Sequence, residues 1–352
     1  MSQLDIAAHN LLGLELNDKW TVIDKIEPKD GGTGGFFSVC YKVSSGDEVA
    51  FLKALNFNAF FQMFPGQGIV KVMQAQTNAF EFEKNLLLTC KKNKLSKVSM
   101  IIDEGELYLD NFTIPNVPFL IFEIADGDIR SNIKFSSNVD FVWKVKSLHD
   151  VAVGLEQLSK VEISHQDLKP SNVLMYDNYT ISKIGDLGRS LCATLKAPHD
   201  DGCSFTGQLD YSPPEFLYKY IQPNWIIRVK STDMYLFGSL ITYYFLGVNM
   251  TALLAKNLDI KFRWSYFGGT FDEVKDYLVD AYAICINEIK TVLKNNEFCD
   301  DLVEIIGCCC HPIPEKRGHK KNVHEVRNQF SFSRIISKLD LIRRKAIIKN
   351  IK

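Results

Sequence analysis

The chain carries His165-Gln166-Asp167-Leu168-Lys169-Pro170-Ser171-Asn172 and, fourteen residues after Asn172, Asp186-Leu187-Gly188. These side chains have complementary chemistry. Asp167 can accept a proton from an attacking hydroxyl, and Lys169 can neutralise negative charge moving past it. Asn172 and Asp186 supply one amide oxygen and one carboxylate, hard ligands of the kind Mg²⁺ prefers. Such a set suits metal-assisted phosphoryl transfer. A plain turn between two strands would use Pro170 and Asn172 but would not require His, Asp, Lys, Asn and a later Asp-x-Gly in this order.

The string resembles the catalytic loop of protein kinases, H-R-D-L-K-P-x-N followed by D-F-G, and Lys169-Pro170 is similar to the serine/threonine branch. The compact single-module layout resembles bacterial kinases of eukaryotic type. The resemblance implies an α+β, bilobal protein kinase fold. Its small lobe is a five-stranded antiparallel sheet plus one helix, its larger lobe is mainly α-helical, and ATP binds between them. It also implies roles: Asp167 and Lys169 catalytic, Asn172 and Asp186 holding Mg²⁺ against ATP.

Upstream, apolar alternation and glycine punctuation predict strands at residues 21–26, 37–43 and 48–55, with a turn at 31–35. Gly32-Thr33-Gly34-Gly35-Phe36-Phe37-Ser38-Val39 resembles the kinase phosphate loop G-x-G-x-x-G-x-V, with Phe37 where the third glycine usually stands. Glycines there let backbone N–H groups approach phosphate, so Gly32, Gly34 and Val39 are expected at the nucleotide. Val49-Ala50-Phe51-Leu52-Lys53 is similar to V-A-I-K, whose lysine binds the α- and β-phosphates. Phe51 stands where the family usually has alanine. It either narrows the adenine pocket or is absorbed by a bulge that turns Ala50 to the roof position. A helix predicted at 78–88 offers Glu83 as the partner of Lys53, with Glu81 as the alternative. Strands are expected at 98–102 and 118–124; in the second, Phe122 would guard the adenine pocket and the backbone of Glu123 and Ala125 would meet the adenine edge.

Downstream, Phe141, Val145, Leu148, Ala152, Leu155 and Leu158 recur at helical spacing just before the catalytic loop. Gly207-Gln208-Leu209-Asp210-Tyr211-Ser212-Pro213-Pro214-Glu215 resembles the end of a kinase activation segment, G-T-x-x-Y-x-A-P-E. Gln208 replaces the threonine that orders the catalytic Asp and Lys, so either it takes over that hydrogen bonding or the register differs. Asp233-Met234-Tyr235-Leu236-Phe237-Gly238 resembles D-x-W-x-x-G, where Asp233 would cap the catalytic loop. Pro312 to Arg317 is similar to the late P-x-x-R motif, whose arginine pairs with the Glu215 equivalent. The reading divides the chain into an N-terminal extension (1–19), an N-lobe (20–125), a C-lobe (126–325) and a basic C-terminal helix or tail (326–352). In the last, Ile335, Leu339, Ile342 and Ala346 form an apolar stripe beside many cations, which suggests contact with an acidic partner or membrane surface, or else a helix packed on the large lobe.

Composition narrows the classes. With 41 Lys plus Arg against 42 Asp plus Glu among 352 residues, average charge gives no case for nucleic-acid binding. No apolar run reaches the roughly 18 residues of a membrane span, and the first residues lack a signal-peptide pattern. Nine irregularly spaced cysteines suggest reduced thiols and a cytoplasmic location. Cys308-Cys309-Cys310-His311 lacks the gaps of structural zinc sites and reads as buried small side chains. The resemblance implies an ATP- and Mg²⁺-dependent kinase acting on serine/threonine of protein substrates, and composition is compatible with it. A catalytically silent relative, in view of Phe37, Phe51 and Gln208, and a small-molecule phosphotransferase are the alternatives.

Overall fold

The computed structural model describes residues 6–27, 38–58, 61, 66–135, 140–319, 321–322 and 328–349. The chain forms two compact units, residues 1–94 with 99–126, and 95–98 with 127–352. Antiparallel sheet dominates the first and helix the second, an α+β architecture.

In the first unit the strands are β1 (Glu15–Leu16), β2 (Trp20–Ile26), β3 (Ser38–Ser45) and β4 (Glu48–Leu55). Helix α1 (Ile69–Lys92) follows, then β5 (Ile101–Tyr108) and β6 (Asn116–Glu123). They form a six-stranded antiparallel sheet ordered β1-β2-β3-β4-β6-β5, one strand more than the resemblance implied. The extra strand comes from the segment expected to be a separate extension. Ile6, Ala7, Ala8, Leu11 and Leu16 lie buried in one cluster with Trp20, Val22, Val39, Tyr41, Val43, Ala50, Leu52, Ala54, Val117, Phe119 and Ile121. The alternating positions of β2, β3, β4 and β6 thus put one sheet face under residues 6–16, and the Tyr41 hydroxyl donates to Ala8 O at 2.8 Å to fasten that cover.

Helix α1 begins earlier than residue 78 because nothing between Gly68 and Asn78 breaks it. The strand expected at 98–102 starts instead at Ile101, and Val98, at the start of that range, belongs with residues 95–97 to the second unit. Lys97 O accepts Ile184 N–H at 2.9 Å and Lys97 Nζ pairs with Asp150 at 2.8 Å. Gly154 makes this approach feasible, since a Cβ there would lie 2.7 Å from Lys97 O.

The second unit runs β7 (Gly127–Asp128), α2 (Ile129–Phe135), α3 (Phe141–Lys160), β8 (Ile163–Ser164), β9 (Val173–Tyr176), β10 (Ile181–Ile184) and β11 (Leu191–Cys192). Then come α4 (Pro214–Leu217), α5 (Trp225–Leu246), α6 (Met250–Asn257), α7 (Phe271–Leu293), α8 (Cys299–Cys309) and α9 (Ser333–Ile348). Asp140 caps α3 by accepting from Trp143 N–H, and Asn224 caps α5 through Ile227 N–H. Helix α5 is buried on nearly every side from Val229 to Thr242, as its apolar composition requires. No single helix among the described residues is long and apolar enough to cross a membrane. Cys309 and Cys310 pack against α5, with Cys310 Sγ donating to Tyr235 O at 3.6 Å. Burial pushes both thiols up, and no disulfide joins the cysteines among the described residues. On α9, Ile335, Leu339, Ile342 and Ala346 are buried. Its Lys338 pairs with Asp301 and Glu304, and Arg343 and Arg344 pair with Asp340. The acids that meet these cations lie within the unit itself.

Candidate functional site

Helix α3 delivers the chain through β8 into residues 165–172, all buried except Ser171. The loop is set from inside. Asp233, one turn into the buried part of α5, accepts Ser164 Oγ at 2.6 Å, His165 N–H at 2.9 Å and Gln166 N–H at 2.9 Å. Burial pushes the Asp233 carboxyl up, opposed by these bonds. The His165 ring joins Gly185 O at 3.0 Å and accepts Asp167 N–H at 3.2 Å, which fixes its proton on Nε2. Gln166 sits at φ 64°, left-handed for a non-glycine residue, and is held there by its amide, which donates to Ser164 Oγ (2.8 Å) and Val229 O (2.9 Å).

These bonds present Asp167. Its Oδ2 accepts Lys169 Nζ at 2.8 Å and Asn172 Nδ2 at 3.2 Å, and its Oδ1 accepts Gln208 N–H at 2.8 Å. The carboxylate is thus oriented by a cation, an amide and a backbone donor. The expected threonine function at position 208 is performed by the main chain, while the Gln208 side chain turns to Asp210. Gly207 permits this, because a Cβ there would lie 2.3 Å from Gln166 O and 3.0 Å from Asp167 Oδ1.

Asn172 and Asp186 occupy the open end of the β9–β10 hairpin. Gly185 N–H donates to Asn172 O at 2.9 Å, extending the pairing to the residue before Asp186. Asn172 Nδ2 serves Asp167 O at 2.8 Å, so its Oδ1 is outside these bonds. Asp186 is exposed at φ 59°, and its Oδ1 accepts Gly188 N–H at 3.4 Å. Further along, Glu215 and Arg317 form a buried bidentate pair at 2.7 and 2.5 Å. The same guanidinium donates to His311 O, Pro312 O and Ser231 O, so the segment ending at Glu215 is tied to α5 and to the 312–317 turn.

A protein kinase domain model matches residues 68–327, well over half the chain. The chain belongs to the protein kinase family. It is 26% identical over 272 residues to a G-type lectin S-receptor-like serine/threonine-protein kinase of Arabidopsis thaliana, covering 74% of this chain and 28% of that one. It is 28% identical over 186 residues to the serine/threonine-protein kinase atg1 of Dictyostelium discoideum, covering 47% and 26%. A probable serine/threonine-protein kinase of the same organism is 32% identical over 126 residues, covering 34% and 27%. The chain therefore spans under a third of each of these relatives.

In the sheet unit of this kinase, Lys53 Nζ donates to Glu83 Oε1 at 2.8 Å and Oε2 at 3.0 Å. Glu81 instead accepts Lys84. Phe51 shares the Lys53 face, tilted against Phe122 with centroids 6.4 Å apart. The β3–β4 and β4–β6 registers are unbroken through Phe51, so no bulge turns Ala50 to that face; Ala50 is buried on the opposite one.

Val39 requires a correction. It pairs with Ala54 and lies in the cluster under residues 6–16, on the sheet face away from Lys53. Cys40 stands opposite Lys53 and Lys42 opposite Phe51. A one-residue difference in register exchanges faces, and counting back from Lys53 through the 46–47 hairpin turn would have found Cys40. Gly32 and Gly34, with Phe37, lie outside the described residues. Glu123 ends β6 and donates its N–H to Met100 O at 3.2 Å, and Ala125 follows, half-buried.

Proposed function

We propose that this chain is an ATP- and Mg²⁺-dependent protein kinase that transfers the γ-phosphoryl group to serine or threonine hydroxyls of protein substrates. The observation that carries the reading is the Asp167 carboxylate, buried yet held at both oxygens by Lys169, Asn172 and Gln208 N–H. A general base must be oriented before the hydroxyl arrives, and this one is. Asp167 takes the substrate hydroxyl's proton as the new O–P bond forms and the bond to the β-phosphate breaks. Lys169 offsets charge on the moving group. Lys53, steadied by Glu83, neutralises the α- and β-phosphates, and Ala125 N–H is the donor for the base edge, since Glu123 N–H is committed to Met100.

Asn172 Oδ1 and the exposed Asp186 carboxylate fit Mg²⁺. They are hard oxygens on one hairpin end, the donor type that would hold this ion. No cluster of three His, Cys, Asp or Glu among the described residues forms a closed metal cage. When bound, Mg²⁺ supplies neutralisation of phosphate charge; the chain's part is to hold the two oxygens still. Incubation with γ-labelled ATP, Mg²⁺ and a protein acceptor, followed by phosphoamino-acid analysis, tests the reading. Phosphoserine or phosphothreonine is expected, and label confined to phosphotyrosine or to small molecules would overturn it.

A further inference from the structure

Behind the catalytic loop, within the helical unit, two hollows flank Trp225. The inner one is a recess of about 110 Å³ walled by Leu155, Ile163, Trp225, Val229, Phe330 and Phe332. The outer one, about 290 Å³, lies beside residues 191–200 and shares Ala193 and Trp225 with the first. Ser159 and Ala193 leave the room: they are small side chains in a lining otherwise built from leucine, isoleucine, valine and aromatic rings.

The walls are fixed from several sides. Leu191–Cys192 pairs with Ile163–Ser164, and Ala193 N–H donates to Glu162 O at 3.1 Å. Glu156 on α3 accepts Phe332 N–H at 2.8 Å and the Ser331 hydroxyl at 3.2 Å, and the Phe332 ring meets Phe237 edge-on at 5.4 Å. A preformed hollow spends little ordering entropy on a ligand. Ser164 and Asp233 also line the recess, and the Asp233 carboxylate is the group that holds the His165 and Gln166 N–H groups.

Size and charge select the occupant. An apolar cavity of about 150 Å³ binds benzene, so the inner recess takes a single ring and excludes a fused system or a long chain. Lys230 lines the recess and Lys196 the outer hollow, and neither makes an ion pair among the described residues. Three acids share these linings. Asp233 is satisfied by the loop's donors, and Asp200 is paired with Arg228 at 3.2 Å. That leaves Glu162 alone against two lysines, a net positive mouth on an apolar recess.

We propose that the two hollows form a binding site for a small aromatic carboxylate. Its ring fills the recess behind Ser164 and Asp233, and its carboxylate reaches past Trp225 to Lys196 and Lys230. Occupancy steadies the catalytic loop from behind, because the ring packs against the two side chains that hold it.

The test titrates the full chain with 3-phenylpropionate, its neutral amide and 3-phenylpropylamine. Binding is followed by NMR and the loop by amide hydrogen exchange, so neither readout requires phosphoryl transfer. Saturable binding of the acid is expected, with the amide weaker by about fivefold and the amine weaker still. Lys196→Gln with Lys230→Gln should erase the difference between acid and amide. Ala193→Leu, at an exposed position, and Ser159→Leu, at a half-buried one, fill the space and should each weaken the acid by about tenfold or more. Melting temperatures separate filling from misfolding, and Ala193→Leu decides the matter if Ser159→Leu fails to fold. Exchange of the His165 and Gln166 amides should slow on saturation. No saturable binding, binding unchanged in Ala193→Leu, or an amine that binds more tightly than the acid would overturn the site. Binding that leaves the two amides exchanging as before would overturn its coupling to the loop.

Discussion

Two ion pairs divide the work of this molecule. Lys53–Glu83 in the sheet unit is partly open, its lysine side chain 25% exposed, while Arg317–Glu215 in the helical unit is at 0% and 2%. The first makes a bidentate contact and keeps its ammonium accessible to an anion. The second has its guanidinium surrounded by carbonyls and stacked 4.9 Å from the Tyr235 ring. A partly exposed pair contributes little to folding, so its geometry is free to serve a ligand; a sealed pair adds little beyond a hydrophobic replacement but is costly to break. Chemistry should follow the open pair and stability the sealed one.

The largest effect should come from breaking the sealed pair. Glu215→Gln leaves a buried guanidinium without its counter-charge and should destabilise the helical unit by about 3–5 kcal/mol, seen as a lower denaturant midpoint. Lys53→Met should change that midpoint by less than about 1 kcal/mol while abolishing phosphoryl transfer. Equal midpoint losses in the two variants would erase the distinction between the pairs.

Asp150 offers an intermediate case. Burial would raise its carboxyl, but His149, Lys97 and Ser182 hold it down at about 2, against an ordinary 3.8. Because the folded value is depressed, its contribution of about 2 kcal/mol is complete above the ordinary value and fades as pH falls from near 4 toward 2. Asp150→Asn should remove that part of the acid sensitivity. An unchanged acid-unfolding profile would show that the Lys97–Asp150 tie between residues 95–98 and α3 is not what anchors the segment.

The smallest effects probe the two sheet faces. Val39→Ala should cost about 2 kcal/mol of stability and leave nucleotide affinity alone. Cys40→Phe, on the Lys53 face, should weaken nucleotide binding with little change in melting temperature. The reverse pattern would return Val39 to the site.

What the sequence disclosed, it disclosed where chemistry demands particular side chains in order. The 165–172 string and Asp186 are adjacent in sequence to the turns that aim them, so their types and spacing sufficed to select them. Arg317 and Glu215 were likewise legible from two motifs, although they are far apart in the chain. Position 39 was not, because a strand shows both faces with equal hydrophobicity when each is covered, and the cover over one face comes from residues 6–16, too short and irregular to display a period. At position 208 the sequence left two alternatives open, and it could not tell that the main chain makes the bond to Asp167: a backbone N–H has no sequence signature, and its cue was the glycine beside it. Asp200 and Arg228 meet only through the fold, which no local pattern records.

The central claim is that Asp167 is the oriented base of a phosphoryl transfer. The direct measurement is the initial rate of transfer from γ-labelled ATP by Asp167→Asn beside the wild type, with ATP affinity and melting temperature measured on the same preparations. The account predicts a rate reduced by about 10²–10⁴-fold with affinity and melting nearly unchanged. An asparagine variant that transfers phosphate at the wild-type rate would contradict it.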